Sequence, residues 1–281
     1  MHQLEPARLA RARPLIPPAH EAGHTTFAHA IIEGFLPGRV FVDEAGAPRS
    51  AFFCADDGFL LATGEANAAF ADAAIAALQA DYLGGLQEAR SLVATTAAWA
   101  DVLRAIIPGQ AARLEFHHRG VRAPVPPLPA GYRLEPVSIE AARRFGEGID
   151  PWVVRTLGGP GEFAAKSFGA VVRADGGALA AACLACAIGG GEAEIEIGTD
   201  PRHRKRGLAV VAGAAFIAAC RERGLAPAWT CDATNVPSLR TAKRLGFEPF
   251  REAAVFPLSP QLIRAKGGGW ELATRSAAET A

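Results

Sequence analysis

The chain has 281 residues, 50% of them hydrophobic and 21% charged, enough apolar material for substantial cores and too little charge for wholesale disorder. Lys and Arg number 29 and Asp and Glu 29, and outside a basic cluster at 202–206 the cations are dispersed, so neither nucleic acid nor an anionic membrane is an expected partner. No apolar run nears the roughly 20 residues of a membrane span, and Arg8, Arg11 and Arg13 are followed by prolines instead of a leader's apolar core, which points to the cytoplasm.

Apolar residues at helical spacing predict helices over 19–32, 67–83 and 95–107, and alternation predicts strands over 39–42, 51–54 and 58–62. His20-Glu21-Ala22-Gly23-His24 spells H-E-x-x-H, which on a helix sets two histidines on one face for zinc, with Glu44 as a conceivable third ligand. Gly23 weakens such a helix and Pro17 and Pro18 stand just ahead of it, so a zinc hydrolase is the weaker reading and no metal is expected. Cys54, Cys183, Cys186, Cys220 and Cys231 include a single C-x-x-C and read as free core thiols. A proline-rich stretch at 123–130 reads as a stiff linker. It divides the chain into an α/β domain over 1–122, a second domain over 131–260 and an extension over 261–281.

Beyond the linker the expected order is a strand at 132–137, helices at 139–145 and 161–167, and strands at 168–173 and 178–188. The most informative segment follows at 194–209, EIEIGTDPRHRKRGLA. Glu194, Ile195, Glu196 and Ile197 alternate as a half-buried strand does, Asp200-Pro201 ends it, and from Leu208 apolar residues recur at helical spacing up to Cys220. A strand thus feeds a helix whose first N–H groups and positive dipole end favour an anion. Arg204, Lys205 and Arg206 add charge there, and Gly207 allows close approach. The spelling is neither G-x-G-x-x-G nor G-x-x-x-x-G-K-[ST]. Downstream, a strand at 229–232 leads to Asn235 and Ser238, either of which can cap a helix that ends at Leu245-Gly246-Phe247.

Arg204, Gly207 and Ala209 match R-x-x-G-x-A, and with the Asn and Ser of the next helix and its closing Leu-Gly-Phe the segment resembles the acyl-coenzyme A site of the GNAT superfamily of N-acetyltransferases. The order β-α-α-β-β-β-α-β-α-β after the linker matches that family's arrangement. Gly38 to Asp43 in sequence, Pro48 to Phe53 and Gly64-Glu65-Ala66-Asn67 extend the likeness to a bacterial two-domain subfamily that includes zwittermicin A resistance acetyltransferases. The resemblance implies an α/β fold of the α+β mixed-sheet kind, a C-terminal GNAT acyltransferase domain preceded by a smaller α/β domain for which a GNAT-like fold is one option. It implies acetyl-CoA as donor, bound by Ile197, Gly198, Thr199, Arg204, Lys205, Arg206, Gly207, Leu208, Ala209, Asn235 and Ser238. A small-molecule amine is the implied acceptor, attacking the thioester directly in a ternary complex, with a bulge permitted by Gly198 and an oxyanion donor near Ile197 or Gly198. The oligomeric state stays open.

An attacking amine must lose a proton, so Glu194 and Glu196 are the catalytic candidates, Glu194 being the preferred base. Alternation alone also accounts for both as solvated strand carboxylates. The tyrosine that many GNAT enzymes use as general acid has no counterpart in Glu248-Pro249-Phe250-Arg251, and the only tyrosines are Tyr82 and Tyr132. Cys231, Asp232 and Ser238 are the substitutes at hand. The missing tyrosine leaves a competing class of function, an acyl-coenzyme A sensor that transfers nothing.

Overall fold

Twice along the chain a run of antiparallel strands passes through one parallel crossover. The first run is β2 (Gly38–Val42), β3 (Ser50–Ala55) and β4 (Phe59–Gly64), followed by helix α2 (Ala68–Leu78), β5 (Arg90–Ala94), helix α3 (Ala97–Ile106) and β6 (Ala111–His118). The second is β7 (Tyr132–Pro136), helices α4 (Ile139–Gly148), α5 (Pro151–Thr156) and α6 (Pro160–Lys166), then β8 (Gly169–Ala174), β9 (Leu179–Gly189), β10 (Glu192–Thr199), helix α7 (Leu208–Glu222), β11 (Ala226–Asp232), helix α8 (Val236–Arg244) and β12 (Phe247–Leu258). The computed structural model describes residues 1–56, 58–80, 90–120, 125–149, 151–265 and 269–272. The expected helix end at 81–83, Tyr82, the first linker residues and most of 261–281 lie outside these.

The two runs form one mixed α/β sheet of 12 strands, in the order β1-β2-β3-β4-β5-β12-β6-β11-β10-β9-β8-β7, with the short β1 (His2–Gln3) at one edge. Only β4 with β5 and β10 with β11 are parallel, as a strand-helix-strand crossover requires. The central order is an exchange. Strand β6, the last of the first run, pairs with β11 of the second, while β12, the last of the second run, pairs with β5 of the first, and the two lie antiparallel to each other. Separating the runs would therefore strip both ladders.

Helix α1 (Thr25–Ile32) crosses the middle of one sheet face. It lies so close to β9 that a Cβ at Gly189 would collide with the backbone of Ala30. One core on this face combines Phe27, Ile31 and Phe53 with Phe145, Phe163 and Leu184, so it too is shared between the runs. The opposite face carries two separate cores, one under α2 and α3 around Phe52, Phe70 and Trp99, the other under α7 and α8 around Phe216, Trp229 and Phe247.

Most expected elements appear with ends moved by a few residues. The helix expected over 19–32 begins only at Thr25, because Gly23 passes against Glu115, where a Cβ would lie 2.8 Å from Glu115 Cβ, and residues 19–24 form turns. H-E-x-x-H therefore does not lie on a helix, and its two histidines share no face. His20 is exposed, 3.6 Å from Glu21, while His24 is fully buried, its Nδ1 2.6 Å from Glu115 Oε1. Among the described residues no group of three or more His, Cys, Asp and Glu side chains could hold a metal ion. Likewise no helix there is long and apolar enough to cross a membrane. All five cysteines are free and buried.

Candidate active site

The two parallel crossovers differ where it matters for a ligand. In the first, β4 and β5 stay paired from Phe59↔Ser91 to Ala62↔Ala94, and Thr95 then adds backbone and hydroxyl bonds to Ala62 O at 3.2 and 2.7 Å. The start of α2 is closed by its own cap, Asn67 Oδ1 accepting from Phe70 N at 3.0 Å. Trp99, fully buried, donates its indole N–H to Gly64 O at 3.0 Å and fills the space beyond the strands. That crossover is shut.

In the second, β10 and β11 pair only from Glu192↔Ala226 to Glu194↔Ala228. From Ile195 onward the edge of β10 has no ladder partner, since β11 continues with β6 on its other side. The wedge opens into a cavity of about 800 Å³ lined by both strands, the 203–210 turn and α8. The register irregularity expected at Gly198 is instead one step from the apex. Glu194 pairs with Ala187 and Ile195 with Ala185, so the extra residue is Cys186 on β9, and β10 keeps its alternation. Gly198 is needed for another reason: a Cβ there would run into Ile149, which follows α4.

At the wide end of the wedge α7 starts without a side-chain cap, on a left-handed Gly207 (φ 78°). Lys205, at φ 61°, is the one non-glycine residue with positive φ among those described, a costly conformation of the kind found at ligand clamps. Together they leave the first N–H groups of the helix facing an exposed turn that carries Arg204, Lys205 and Arg206. Arg202 is turned away, its guanidinium and backbone N–H both bound to Asp200, whose carboxyl these bonds hold down at about 2. Arg240 and Arg244, one turn apart on α8, line the same cavity. An anion fits this end.

The remaining expected donor contacts also meet here. Ile197, Gly198, Thr199, Leu208, Ala209, Asn235 and Ser238 all line the cavity, as does the catalytic candidate Glu196. Asn235 caps α8, its Oδ1 accepting from Ser238 N at 3.2 Å, and Ser238 Oγ accepts from the Trp229 indole at 3.1 Å. Asn235→Ala is expected to cost about 1 kcal/mol in urea unfolding; a loss below about 0.3 kcal/mol would mean that the cap does not hold this helix.

Glu194 sits one layer behind the apex. Its side chain is buried; Oε1 accepts from Thr230 N and Thr230 Oγ1, both at 2.9 Å, and Oε2 has no partner. Burial pushes this carboxyl up to about 8, against the pull of Thr230 and Arg113. Thr230 lines the cavity, so the carboxyl reaches it through one hydroxyl. Of the acid candidates, Asp232 is held below the usual carboxylate range by the Thr234 hydroxyl and N–H, at 2.7 and 2.8 Å, and is an anion at neutral pH. Burial raises the Cys231 thiol, which therefore keeps its proton.

Beside Thr230 lies a network the sequence did not reveal. Arg251 donates to Glu115 Oε2 (3.2 Å) and to Ala94 O (2.7 Å); Glu115, fully buried, bonds His24 Nδ1; and Arg113 Nε donates to His24 Nε2 at 3.2 Å. Burial lowers the His24 pKa, and with Nε2 accepting, the network assigns a neutral ring carrying its proton on Nδ1. Burial pushes the Glu115 carboxyl up, but His24 and Arg251 outweigh it and hold the group ionised. Arg240 and Arg244 could have been found from their i, i+4 spacing; Arg113 and Glu115 had only the alternation of a strand that was not recognised.

The model of the GNAT acetyltransferase family matches residues 18–256, and the chain belongs to that family. YdfB of Bacillus subtilis, an uncharacterised N-acetyltransferase, is 27% identical over 244 residues, covering 82% of this chain and 89% of its own. In fold, a GCN5-related N-acetyltransferase-like protein of Streptococcus suis superposes with a TM-score of 0.65 at 19% identity, over 94% of this chain and 99% of its own. A tandem GNAT protein from the clavulanic acid biosynthesis pathway gives 0.61 at 15% identity, over 91% and 96%.

Proposed function

We propose that the protein transfers the acetyl group of acetyl-CoA to the amine of a small molecule by direct attack in a ternary complex, in the bacterial cytoplasm. The observation that carries this reading is the wedge between β10 and β11, rising from an uncapped, cation-lined helix start to Thr230, behind which a buried carboxyl sits. In this reading the diphosphate rests on Arg204, Lys205, Arg206 and the N–H groups of Gly207, Leu208 and Ala209, with Arg240 and Arg244 adding charge. The amide-bearing arm of the donor pairs with the open edge of β10 through Ile197, Gly198 and Thr199, and Asn235 and Ser238 touch it from α8. The segment 131–260 forms the donor site, and 1–122, joined through 123–130, completes the acceptor side.

The amine nitrogen bonds to the thioester carbon as the C–S bond breaks, with the two substrates held in reacting distance. Its proton passes to Thr230 Oγ1 while the Thr230 proton passes to ionised Glu194, a relay along the bond already in place. Glu196 adds a second carboxylate to the cavity wall. The departing thiolate takes its proton from water, because burial makes the Cys231 thiol too weak an acid to supply one. The likeness to zwittermicin A resistance acetyltransferases favours an antibiotic or metabolite amine over a protein N-terminus.

The test is incubation of the purified chain with acetyl-CoA and a panel of small amines, followed by thiol release and the mass of the product. Amine-dependent thiol with an acetylated product is expected. Donor binding with no thiol released for any acceptor would favour the acyl-coenzyme A sensor instead, the reading to which Glu248-Pro249-Phe250-Arg251, with no tyrosine, lends weight.

A further inference from the structure

Arg113 comes from β6, a strand of the first run, yet it lines the cavity of the second. It faces Asp232 across the β6–β11 ladder, on the sheet face that also carries Thr230 and Glu115. Its guanidinium is half-buried and firmly placed. Nε donates to His24 Nε2 at 3.2 Å, one terminal nitrogen lies 3.4 Å from Thr230 Oγ1, and the carbon sits 4.8 Å above the Phe59 ring. Behind it His24 is fixed by Glu115, and Glu115 by Arg251.

The groups that touch the guanidinium, His24, Thr230 and Phe59, are neutral. Among the described residues no carboxylate lies within ion-pairing distance of Arg113, although Glu115 and Glu194 are close by. Glu115 spends its charge on Arg251 and His24, and Glu194 faces Thr230. Burial also keeps Glu194 protonated at neutral pH, and Asp232, the anion across the ladder, feels the Arg113 charge but takes the Thr234 hydroxyl and N–H on its Oδ1, so the guanidinium keeps donors of its own. A half-buried guanidinium held by neutral groups, with donors left over, is built to meet an anion. The anions of coenzyme A are not that partner in the proposed reading, because the cations of the 204–206 turn and of α8 receive them at the wide end. Through Thr230, Arg113 belongs to the apex, where the acyl group and the amine meet.

We propose that Arg113 binds a carboxylate borne by one of the two reacting groups, so that this protein acts on an amino acid or other amino-carboxylic acid, or else transfers a dicarboxylic acyl group. This rests on the acyl-transfer reading of the site and names its substrate class. The fork of the guanidinium takes the carboxylate, and the network behind it acts by position: His24, Glu115 and Arg251 aim Arg113 without touching substrate.

Two assays test it. In the first, thiol release is measured with acetyl-CoA and matched acceptors, each α-amino acid against its decarboxylated amine, and then with succinyl-CoA against acetyl-CoA on the decarboxylated amines. The carboxylated partner is expected to be preferred at least about tenfold in kcat/KM in one arm, which identifies the bearer of the carboxylate. Arg113→Gln is expected to abolish that preference, mainly through KM, and Arg113→Lys to keep part of it, because the charge survives while the fork is lost. In the second, the coenzyme A-loaded protein is unfolded thermally with N-acetyl amino acids, N-succinyl amines or the corresponding N-acetyl amines. The carboxylated compounds of one class should raise the midpoint in wild type and not in folded Arg113→Gln. Amine-dependent turnover with no preference in either arm, or a preference that survives Arg113→Gln, overturns the carboxylate assignment and leaves acyl transfer standing. Absence of turnover with every pair counts against acyl transfer, and the midpoint shifts then decide the carboxylate question alone: equal shifts for carboxylated and neutral compounds overturn it.

Discussion

Gly207→Asp is expected to weaken acetyl-CoA binding by at least about a hundredfold, roughly 3 kcal/mol, while the chain stays folded. Gly207 holds φ at 78° directly before α7, in a turn where three cations and the first helical N–H groups converge. Aspartate tolerates left-handed backbone better than most residues, so the loss should come from the carboxylate set where a diphosphate must lie. A Cβ at this position meets Pro126 Cγ at 3.3 Å, a contact a small shift relieves. Gly207→Asn separates the effects. It has nearly the same shape and the same backbone tolerance without the charge, and only a few-fold loss is expected from it. Calorimetric titration with acetyl-CoA measures both variants. An aspartate variant that binds within about threefold of wild type would remove the anion from this turn, and with it the acyl-donor reading of the wedge.

The contrast between the two crossovers explains how much of this was written in the sequence. The cation-lined turn before α7 was legible as a turn because its causes are local: Asp200-Pro201 ends a strand, Gly207 permits one backbone conformation, and Arg204, Lys205 and Arg206 are neighbours in sequence. Asn235 was legible as a cap for the same reason. The exchange of β6 and β12 was not, since neither strand carries a mark that says whose sheet it joins. The sequence RSLVA of β5 is too short to stand out, and AARLEFHH of β6 sets its charges at the positions that alternation assigns to solvent. In the fold those positions are met by Gly23 and His24, in the turn ahead of α1 and about 90 residues away in sequence, and the polar face becomes the network of His24, Arg113 and Glu115. The same blindness affected His24. H-E-x-x-H is a pattern about helices, and the residues that settle its meaning here are Gly23 and Glu115, which exclude the helix and occupy the ring.

Glu194 was read correctly as an apolar-flanked strand carboxylate and could not be read as a buried one, and its burial gives the second large prediction. An ordinary carboxyl near 4.5 is pushed up to about 8 in the folded chain, so below the unfolded value both states hold the proton and burial of the group costs no ionisation. As pH rises from about 4.5 to 8 the unfolded chain loses its proton first, and this contribution to stability drains away, by at most about 5 kcal/mol once the folded value is passed. Glu194→Gln carries no such proton, so its urea midpoint is expected to fall less between pH 5 and pH 9 than that of wild type. Turnover runs the other way. Only ionised Glu194 can take a proton through Thr230, so kcat/KM is expected to climb with pH and level off above about 8, provided the acceptor is an amine with a pKa below 7 that contributes no limb of its own. The glutamine should lose the limb together with roughly 10²- to 10⁴-fold of the rate, with donor affinity changed far less. Gln can still accept from Thr230, so a loss of rate alone cannot be blamed on a broken strand contact. If the variant keeps both the rate and the limb, Glu194 takes no part in proton transfer, and the cavity-facing Glu196 becomes the carboxylate to test.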